Sequence, residues 1–421
     1  MKSFTTVLFI LIFCPLFFLG GVDVYVELKS VGKKMSIAIE DITAGKTEYG
    51  VVDIISNDLE FSGLFDVFPD SFTPCISKEF DFTRQDKVTA EMNGIETVVK
   101  VSISVKENQM TAVCYCWDVI SAKKIFDKTY KAKISGQRNL AHSISEDIIQ
   151  YLTGRKVAMN SKIAFAVQSR SGKEIWCSDY DGGNPRRIIS QGSISMLPKF
   201  SVSGESVYYT TYKDGNPDLF KYDFKTSKSV PVLIYQGINI ACSFSQDGKH
   251  FIAALSKTGD TELYLCSVSG KIIKRLTFST GIDVGASFAP NSREFVFVSN
   301  RSGNPNLFIM DIDGGNLRRI TSGGYNDSPC WSPVGDKIVY SKKTGNIFDI
   351  YVFDVTTFEE KRLTYSAGSN ENPYYSPDGR HIVFSSNRRG VWEIYVMPQD
   401  GSEQIPVKGL PKNSTTPVWS R

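Results

Sequence analysis

The sequence predicts a mainly β protein: a six-bladed β-propeller closed by its C-terminal strand and preceded by a small α/β domain. Three observations carry this prediction. Aromatic residues recur at intervals of 44, 44, 43, 44 and 44 residues. Short β-branched and aromatic runs separate them, as expected for one blade per repeat. A stretch of about 130 residues before the repeats, which is the size of a domain, mixes helical and alternating patterns. The recurring aromatic residues are Phe200, Phe244, Phe288, Trp331, Tyr375 and Trp419.

Each repeat can be divided into four strands. The aromatic residue lies on the first strand, and a turn such as Asp378-Gly379 follows it. The second strand is an apolar run such as Phe295-Val296-Phe297, and the third alternates, as in Ile350-Tyr351-Val352-Phe353. The fourth is rich in basic residues, as at Arg318-Arg319. Charges on an outermost strand discourage pairing between sheet edges, so these arginines need no further role.

The number of blades follows from an offset between the strands. Six second-strand runs begin near Ile163, but no aromatic strand precedes the first of them. The sixth aromatic strand, Thr415 to Ser420, has no repeat after it. We therefore expect this strand to become the innermost strand of the blade that begins at Lys162. Such an exchange closes a six-bladed ring and removes the free edges of an open array.

The first residues predict export. Lys2 is the only charged residue before Asp23, and Val7 to Leu19 is almost wholly apolar. A basic start followed by an apolar run of this length is typical of a secretory signal peptide, assigned here to residues 1–21. A lipid on Cys14 and an uncleaved membrane anchor are the alternatives. The bulky residues before Cys14 and the shortness of the run disfavour them.

Between leader and propeller, residues 22–156 predict an α/β domain in the order β-α-β-β-α, with one sheet backed by two helices. The propeller is assigned to residues 157–421. Within the first domain we expect strands at Ser36–Ile39, Thr97–Ile103 and Met110–Trp117, and helices at Tyr49–Leu59 and Leu140–Leu152, the last stopped by Gly154.

Composition narrows the function further. A formal net charge of +3 is too balanced for nucleic-acid binding. Cysteines within the strands, such as Cys177 and Cys330, are expected to be buried free thiols, because their spacing forms no disulfide framework. The three histidines lie near no cysteine pair. We therefore expect no metal and no cofactor.

The sequence disfavours a catalytic function for the repeats. Propellers of this type also precede serine peptidase domains, but no Gly-x-Ser-x-Gly nucleophile motif occurs in the chain. Asp179–Gly183 and Asp311–Gly315 begin like calcium loops but lack the remaining ligands. No acid and arginine cluster of the sialidase type can be identified. An exported propeller that binds a glycan or another small ligand stays open as the alternative.

The chain as a whole resembles the TolB family of periplasmic propeller proteins of the bacterial Tol-Pal envelope system. The resemblance covers the leader, the α/β domain and all six repeats. It is carried by these features together with the segments Ala254–Gly259, Ser178–Gly182 and Pro417–Ser420. Within the repeats, Ile238 stands where a histidine is familiar in the family, and Gly285 where a glutamate is.

The resemblance implies a non-catalytic, monomeric periplasmic protein that is not integral to the membrane. Family members bind the outer-membrane lipoprotein Pal on one propeller face and the inner-membrane protein TolA through an N-terminal segment. They support outer-membrane invagination at cell division and envelope integrity. In this chain the N-terminal segment is Val22 to Val31, with Val22, Val24, Val26 and Glu27 as candidate contacts. By the same resemblance, its exposure depends on whether the propeller face is occupied.

Propeller geometry points to the same face. The loops before the aromatic strands and the turns between second and third strands lie on one side of the ring. A mixed-charge rim around an axial depression suits a polar protein segment. The candidate rim residues are Asn239, Ala241, Lys257, Thr258, Asp283, Val284, Arg301, Asn326, Asp327, Asn370 and Glu371.

Overall fold

The computed structural model describes residues 34–43, 50–68, 81–365 and 367–420. The predicted signal peptide, residues 1–21, and the predicted N-terminal partner segment, residues 22–31, lie outside these ranges. None of the helices in the described ranges is long and apolar enough to cross a membrane.

The N-terminal domain is a five-stranded sheet with the strand order β2-β1-β3-β4-β5. β1 runs parallel to both of its neighbours, and the β3-β4-β5 part is antiparallel. A 3₁₀ turn, Ile134–Gly136, leads into the last helix. In chain order the elements are β1 (Met35–Asp41), α1 (Val51–Phe61), β2 (Phe65–Phe68), α2 (Arg84–Met92), β3 (Thr97–Lys106), β4 (Gln109–Asp118), β5 (Lys123–Lys133) and α3 (Gln137–Thr153).

Helices cover both faces of this sheet. Side chains of a strand alternate between faces, so Ile37 and Ile39 join the core that includes α1 and α3, while Ala38 packs with Ala90 of α2. The sequence predicted α1, α3 and the αL stop at Gly154, and all three are present. It did not predict β2, α2 or β5.

The propeller consists of six four-stranded antiparallel sheets. All six aromatic repeat residues end an innermost strand, and all are buried. From innermost to outermost the blades are: β29 (Ser414–Trp419), β6 (Lys162–Ser169), β7 (Gly172–Asp179) and β8 (Arg186–Ile189); β9 (Ser195–Phe200), β10 (Ser206–Thr211), β11 (Asp218–Asp223) and β12 (Lys228–Leu233); β13 (Asn239–Phe244), β14 (His250–Thr258), β15 (Asp260–Ser267) and β16 (Ile272–Arg275); β17 (Asp283–Phe288), β18 (Glu294–Ser299), β19 (Asn306–Asp311) and β20 (Arg318–Arg319); β21 (Asn326–Trp331), β22 (Lys337–Thr344), β23 (Ile347–Asp354) and β24 (Glu360–Arg362); β25 (Asn370–Tyr375), β26 (His381–Ser386), β27 (Glu393–Pro398) and β28 (Ile405–Pro406).

The ring closes through strand exchange, which confirms the prediction. β29 pairs antiparallel with β6, placing Trp419 opposite Ile163. The indole Nε1 of Trp419 donates to Ser161 Oγ at 2.7 Å, and the Lys162 amide donates to Ser420 Oγ at 2.8 Å. These contacts join segments that are 258 residues apart in the chain.

Buried apolar side chains connect each blade to the next. Trp331 of β21, for example, packs in one cluster with Leu307 and Ile309 of the preceding blade. Large aromatic side chains supply much of the apolar area buried between sheets. The regular 44-residue spacing therefore reflects one such inter-blade contact per repeat.

Candidate partner-binding face

The two faces of the propeller are built from different connections. We call upper the face where the innermost strands begin and lower the face where they end. Because neighbouring strands within each blade are antiparallel, the turns between second and third strands also lie on the upper face. The loops that enter the blades on this face span residues 190–194, 234–238, 276–282, 320–325, 363–365, 367–369 and 407–413.

A polar residue begins every innermost strand and is fully buried. These residues are Ser195, Asn239, Asp283, Asn326, Asn370 and Ser414. Several of them hold the loop before their own strand: Asn239 Nδ2 donates to the Tyr235 carbonyl at 2.6 Å, and Asn326 Nδ2 to the Gly323 carbonyl at 3.0 Å. Four predicted rim residues belong to this set. Their side chains support the rim from inside, and direct partner contact through them stays a prediction that would require the rim to open.

The charged rim residues are brought together within blades. Arg301 donates to Asp283 Oδ2 at 2.7 Å and to Ser299 Oγ at 2.8 Å, so these two predicted rim residues form an ion pair. Glu371 is half-buried and accepts from Ser369 Oγ at 2.7 Å.

Lys257 and Thr258, in contrast, are exposed at the end of β14. The Lys257 ammonium lies 4.8 Å from the centre of the Tyr235 ring, a cation–π contact with the loop that enters its own blade. These two predicted rim residues are therefore accessible to a partner.

Exposed apolar side chains surround this face and were not predicted from the sequence. We call them the apolar crown: Ile194, Ile234, Tyr235, Phe278, Ile282, Tyr325 and Tyr365. All seven lie in loops that enter the blades. Phe278 is 75% exposed and Tyr365 61% exposed. Arg275 and Arg362 lie over these two rings at 4.7 and 4.8 Å. The residues of the apolar crown do not recur at a fixed position of the repeat, so the repeat pattern did not reveal them. Apolar residues within turn-rich loops could have indicated them.

An axial cavity of about 300 Å³ lies between the innermost strands. All six innermost strands contribute to its wall, which is mainly apolar. The predicted residues Ala241, Val284 and Asp327 line it. The structure thus places these three in the channel, apart from the exposed Lys257 and Thr258.

Two charged side chains in this cavity have no ion-pair partner among the described residues. The Lys199 ammonium lies 5.1 Å from the centre of the Tyr374 ring, and burial lowers the pKa of Lys199. Asp327 Oδ1 accepts from the Ser328 amide at 2.7 Å, and burial raises the pKa of Asp327 despite this hydrogen bond. Lys199 lies on β9 and Asp327 on β21, three blades apart in a ring of six, so they project from opposite walls.

The N-terminal domain contacts the lower face of the propeller. Asp58 of α1 accepts hydrogen bonds from Tyr180 at 2.5 Å and pairs with His142 Nδ1 at 2.8 Å, and all three side chains are buried. Phe61 stacks on His381 with ring centres 4.6 Å apart. Docking at this face leaves the apolar crown on the side of the ring away from these contacts.

A potential cation cluster also lies at this contact. Ligand atoms of Asp58, His142 and Asp181 fall within 4.8 Å of one another. Asp58 already accepts from Tyr180, and Asp181 is paired with Arg138 at 2.5 Å. These hydrogen bonds and ion pairs between the N-terminal domain and the propeller account for the cluster, and we assign no metal to it.

The N-terminal candidates Val22, Val24, Val26 and Glu27 lie outside the described residues, and their role stays a prediction. The cysteines predicted to be buried are buried, at positions 114, 116, 177, 242, 266 and 330. Burial raises the pKa of Cys266 to about 12, which makes its thiol unreactive at neutral pH.

Comparison with known proteins gives consistent matches in both parts of the chain. A family model described as the TolB beta propeller domain matches residues 149–421, and one described as the TolB amino-terminal domain matches residues 24–125. A Tol-Pal system protein TolB of Desulfosudis oleivorans is 36% identical over 183 residues, which cover 44% of this chain and 42% of the relative. A TolB homolog of Chlorobium chlorochromatii is 34% identical over 223 residues, covering 53% and 50%. The aligned part therefore spans about half the length of these relatives.

A solved structure extends the likeness over nearly the whole chain. The crystal structure of TolB from Acinetobacter baumannii superimposes with a TM-score of 0.80 and covers 92% of this chain and 97% of its own. Its identity is 23%, so it shows the fold alone. Both domains of the fold are thus shared with a solved protein.

Proposed function

Because the chain belongs to the TolB family, we propose that it is a non-catalytic periplasmic component of the Tol-Pal system. Its upper face binds the soluble domain of a Pal-like outer-membrane lipoprotein. Residues 22–31 bind a TolA-like inner-membrane protein. Through these contacts it supports outer-membrane invagination at division and envelope integrity.

The observation that carries the proposal is the apolar crown. Isolated exposed apolar residues are ordinary, but here seven lie in loops of one face. Aromatic side chains are enriched where protein interfaces form, and they dominate the binding energy when a partner buries them. Arginines over Phe278 and Tyr365 hold these rings in place and so reduce the entropy lost on binding.

The charges beside the crown favour a protein partner as well. Lys257 is exposed, while Arg301 keeps only part of its guanidinium accessible above Asp283. Exposed charges at the edge of an interface act mostly on association rate and on partner choice. Exposed charged and apolar side chains side by side on one face are typical of a protein interface.

Titration calorimetry with the purified lipoprotein domain from the same organism tests the proposal. The double variant Phe278→Ser with Tyr365→Ser should bind about 10- to 100-fold more weakly, because two exposed aromatic anchors are lost. Phe358→Ser is the matched control, since Phe358 is 69% exposed but lies on the lower face. It should bind like the parent chain.

Equal affinity in all three proteins would exclude the crown as the binding surface. Recovery of a glycan and no lipoprotein from envelope extract would favour the alternative of a glycan-binding propeller.

A chain lacking residues 22–31 should lose capture of the TolA-like protein. Its affinity for the lipoprotein should rise if the two sites are coupled, typically by about 1–3 kcal/mol.

A further inference from the structure

Lys199 and Asp327 depart from the internal repeat at their positions. Lys199 is the residue before the aromatic of its strand, where the other blades have Ser243, Ser287, Cys330, Tyr374 and Val418. Asp327 lies four residues before its aromatic, where four of the other five blades have Met196, Ile240, Val284 and Thr415, and one has Glu371. Blades without a charge at these positions form equally well. The fold itself therefore does not require an ammonium or a carboxylate in the channel.

Both charges are also unfavourable for the free protein. An ionised group that is withdrawn from water without a partner costs free energy, which is why the pKa of each is shifted towards its neutral form. Titratable groups perturbed in this way and lying in a cavity are typical of functional sites. The cavity of about 300 Å³ is at the lower end of the range for small-ligand sites.

We propose that the axial cavity binds a small zwitterion of dipeptide size, with its carboxylate at Lys199 Nζ and its ammonium at the Asp327 carboxylate. A ligand of this kind satisfies both unpaired charges at once. Charge-assisted hydrogen bonds of this type are the strongest that a protein makes with a small ligand.

The two charged residues are separated both across and along the channel. Asp327 is the second residue of β21 and Lys199 the fifth of β9, so the two residues lie at different heights on opposite walls of the channel. An extended dipeptide spans about 7 Å, and a hydrogen bond of about 2.8 Å is added at each end.

The wall between the two charges matches the middle of such a ligand. Leu197, Ile240 and Val284 form an apolar side for a side chain. Asn372 and Ser328 line the same cavity and are bonded to each other at 3.0 Å. Both have left-handed backbone angles, φ 55° and 53°, which belong to the bulges that turn these residues towards the channel. They provide a donor and an acceptor for a peptide group.

Binding of three probes by calorimetry tests this site: the free dipeptide Ala-Leu, its N-acetyl form and its C-terminal amide. The parent chain should bind free Ala-Leu about 10- to 100-fold more tightly than either blocked form, because each block removes one charge-assisted contact. Lys199→Met should no longer distinguish Ala-Leu from the amide. Asp327→Asn should no longer distinguish it from the N-acetyl form.

The pattern of lost discrimination separates recognition from a structural role, because a merely unfolded variant would lose all three probes together. The crown double variant should bind Ala-Leu like the parent, so failure of this site and failure of lipoprotein binding can be told apart. No heat of binding for Ala-Leu at about 10 mM, where even a Kd of about 1 mM would be detected, overturns the proposal. So does equal affinity for the free and blocked forms.

Discussion

The half-buried Asp327 carboxyl makes the stability of this protein depend on pH in an unusual direction. Most carboxylates in proteins are paired, so their pKa is lowered and they stabilise the fold as pH rises. Burial instead raises the pKa of Asp327 above 3.8, and the Ser328 amide offsets this only in part. The folded state therefore holds a proton on this group at pH values where the unfolded state has released it.

Asp327→Asn should reveal this effect. Between pH 3.8 and the raised pKa the folded parent binds more protons than the unfolded parent, so its free energy of unfolding falls as pH rises through that window. The variant lacks this titration, and its stability relative to the parent should increase over the same window. Urea unfolding at a series of pH values measures the difference. A difference that is constant with pH would contradict the prediction.

The sequence predicts on which face of the propeller a residue lies, but not how deeply its side chain is buried. Asn239, Asp283, Asn326 and Asn370 were predicted at the rim, and they do begin the innermost strands there. Recurrence of a short polar residue in every blade is the sign of a structural hydrogen bond that each loop needs. Side chains that occur in one blade only, such as Lys199, are the better candidates for function, and the sequence analysis did not separate the two groups.

Among the elements, the repeats were predictable and part of the N-terminal domain was not. The same alternation of apolar residues occurs in six copies, one in each blade. These copies confirm one another, and the strands could therefore be predicted from the sequence. β5 has only Phe126 buried, so its pattern shows no clear period. α2 has a mostly polar sequence, and its place is fixed by the buried pair of Lys100 and Asp86 at 2.9 Å. The capping box of Thr83 and Asp86 was a readable start signal for this helix.

Deleting residues 414–421, which include β29, should abolish cooperative unfolding or cause aggregation. The deletion leaves the hydrogen-bonding edge of β6 unpaired and removes Trp419 from the core. Thermal unfolding followed by calorimetry, with size-exclusion chromatography, measures both outcomes. Val230→Ala, at a half-exposed position of the outer strand β12, serves as a control and should change the melting temperature little. A monomer with an unchanged melting transition after the deletion would rule out closure as the source of cooperativity.

The N-terminal domain is joined to the propeller by its contact with the lower face. Arg138 of α3 pairs with both Asp179 and Asp181, and Phe61 stacks on His381 of β26. Burial lowers the pKa of His381, so this ring is neutral and donates from Nε2 to the Phe61 carbonyl at 3.0 Å. No sequence pattern predicted these pairings, because they join residues far apart whose types are ordinary in either domain.

Tyr180→Phe should weaken this contact by about 1–3 kcal/mol, since it removes a donor from the fully buried Asp58 carboxylate. Tyr209→Phe is the control: its ring is equally buried, but its hydroxyl bonds the neutral Ser229 Oγ. It should cost about 1 kcal/mol or less. Chemical denaturation followed by tryptophan fluorescence measures both variants. If they lose the same stability, the Asp58 network does not hold the domains together.

The pairing of β29 with β6 also determines when during biosynthesis the protein can become complete. The two strands are joined across 258 residues. At about 5–20 residues per second, a ribosome needs about 10–50 s to make the chain between them. Throughout that time the first blade has three strands and an open edge that can pair with another chain. For an exported chain, the ring can be finished only after the last blade has reached the same compartment as the first. A chaperone that covers the β6 edge during this delay would therefore protect the chain from pairing with another one.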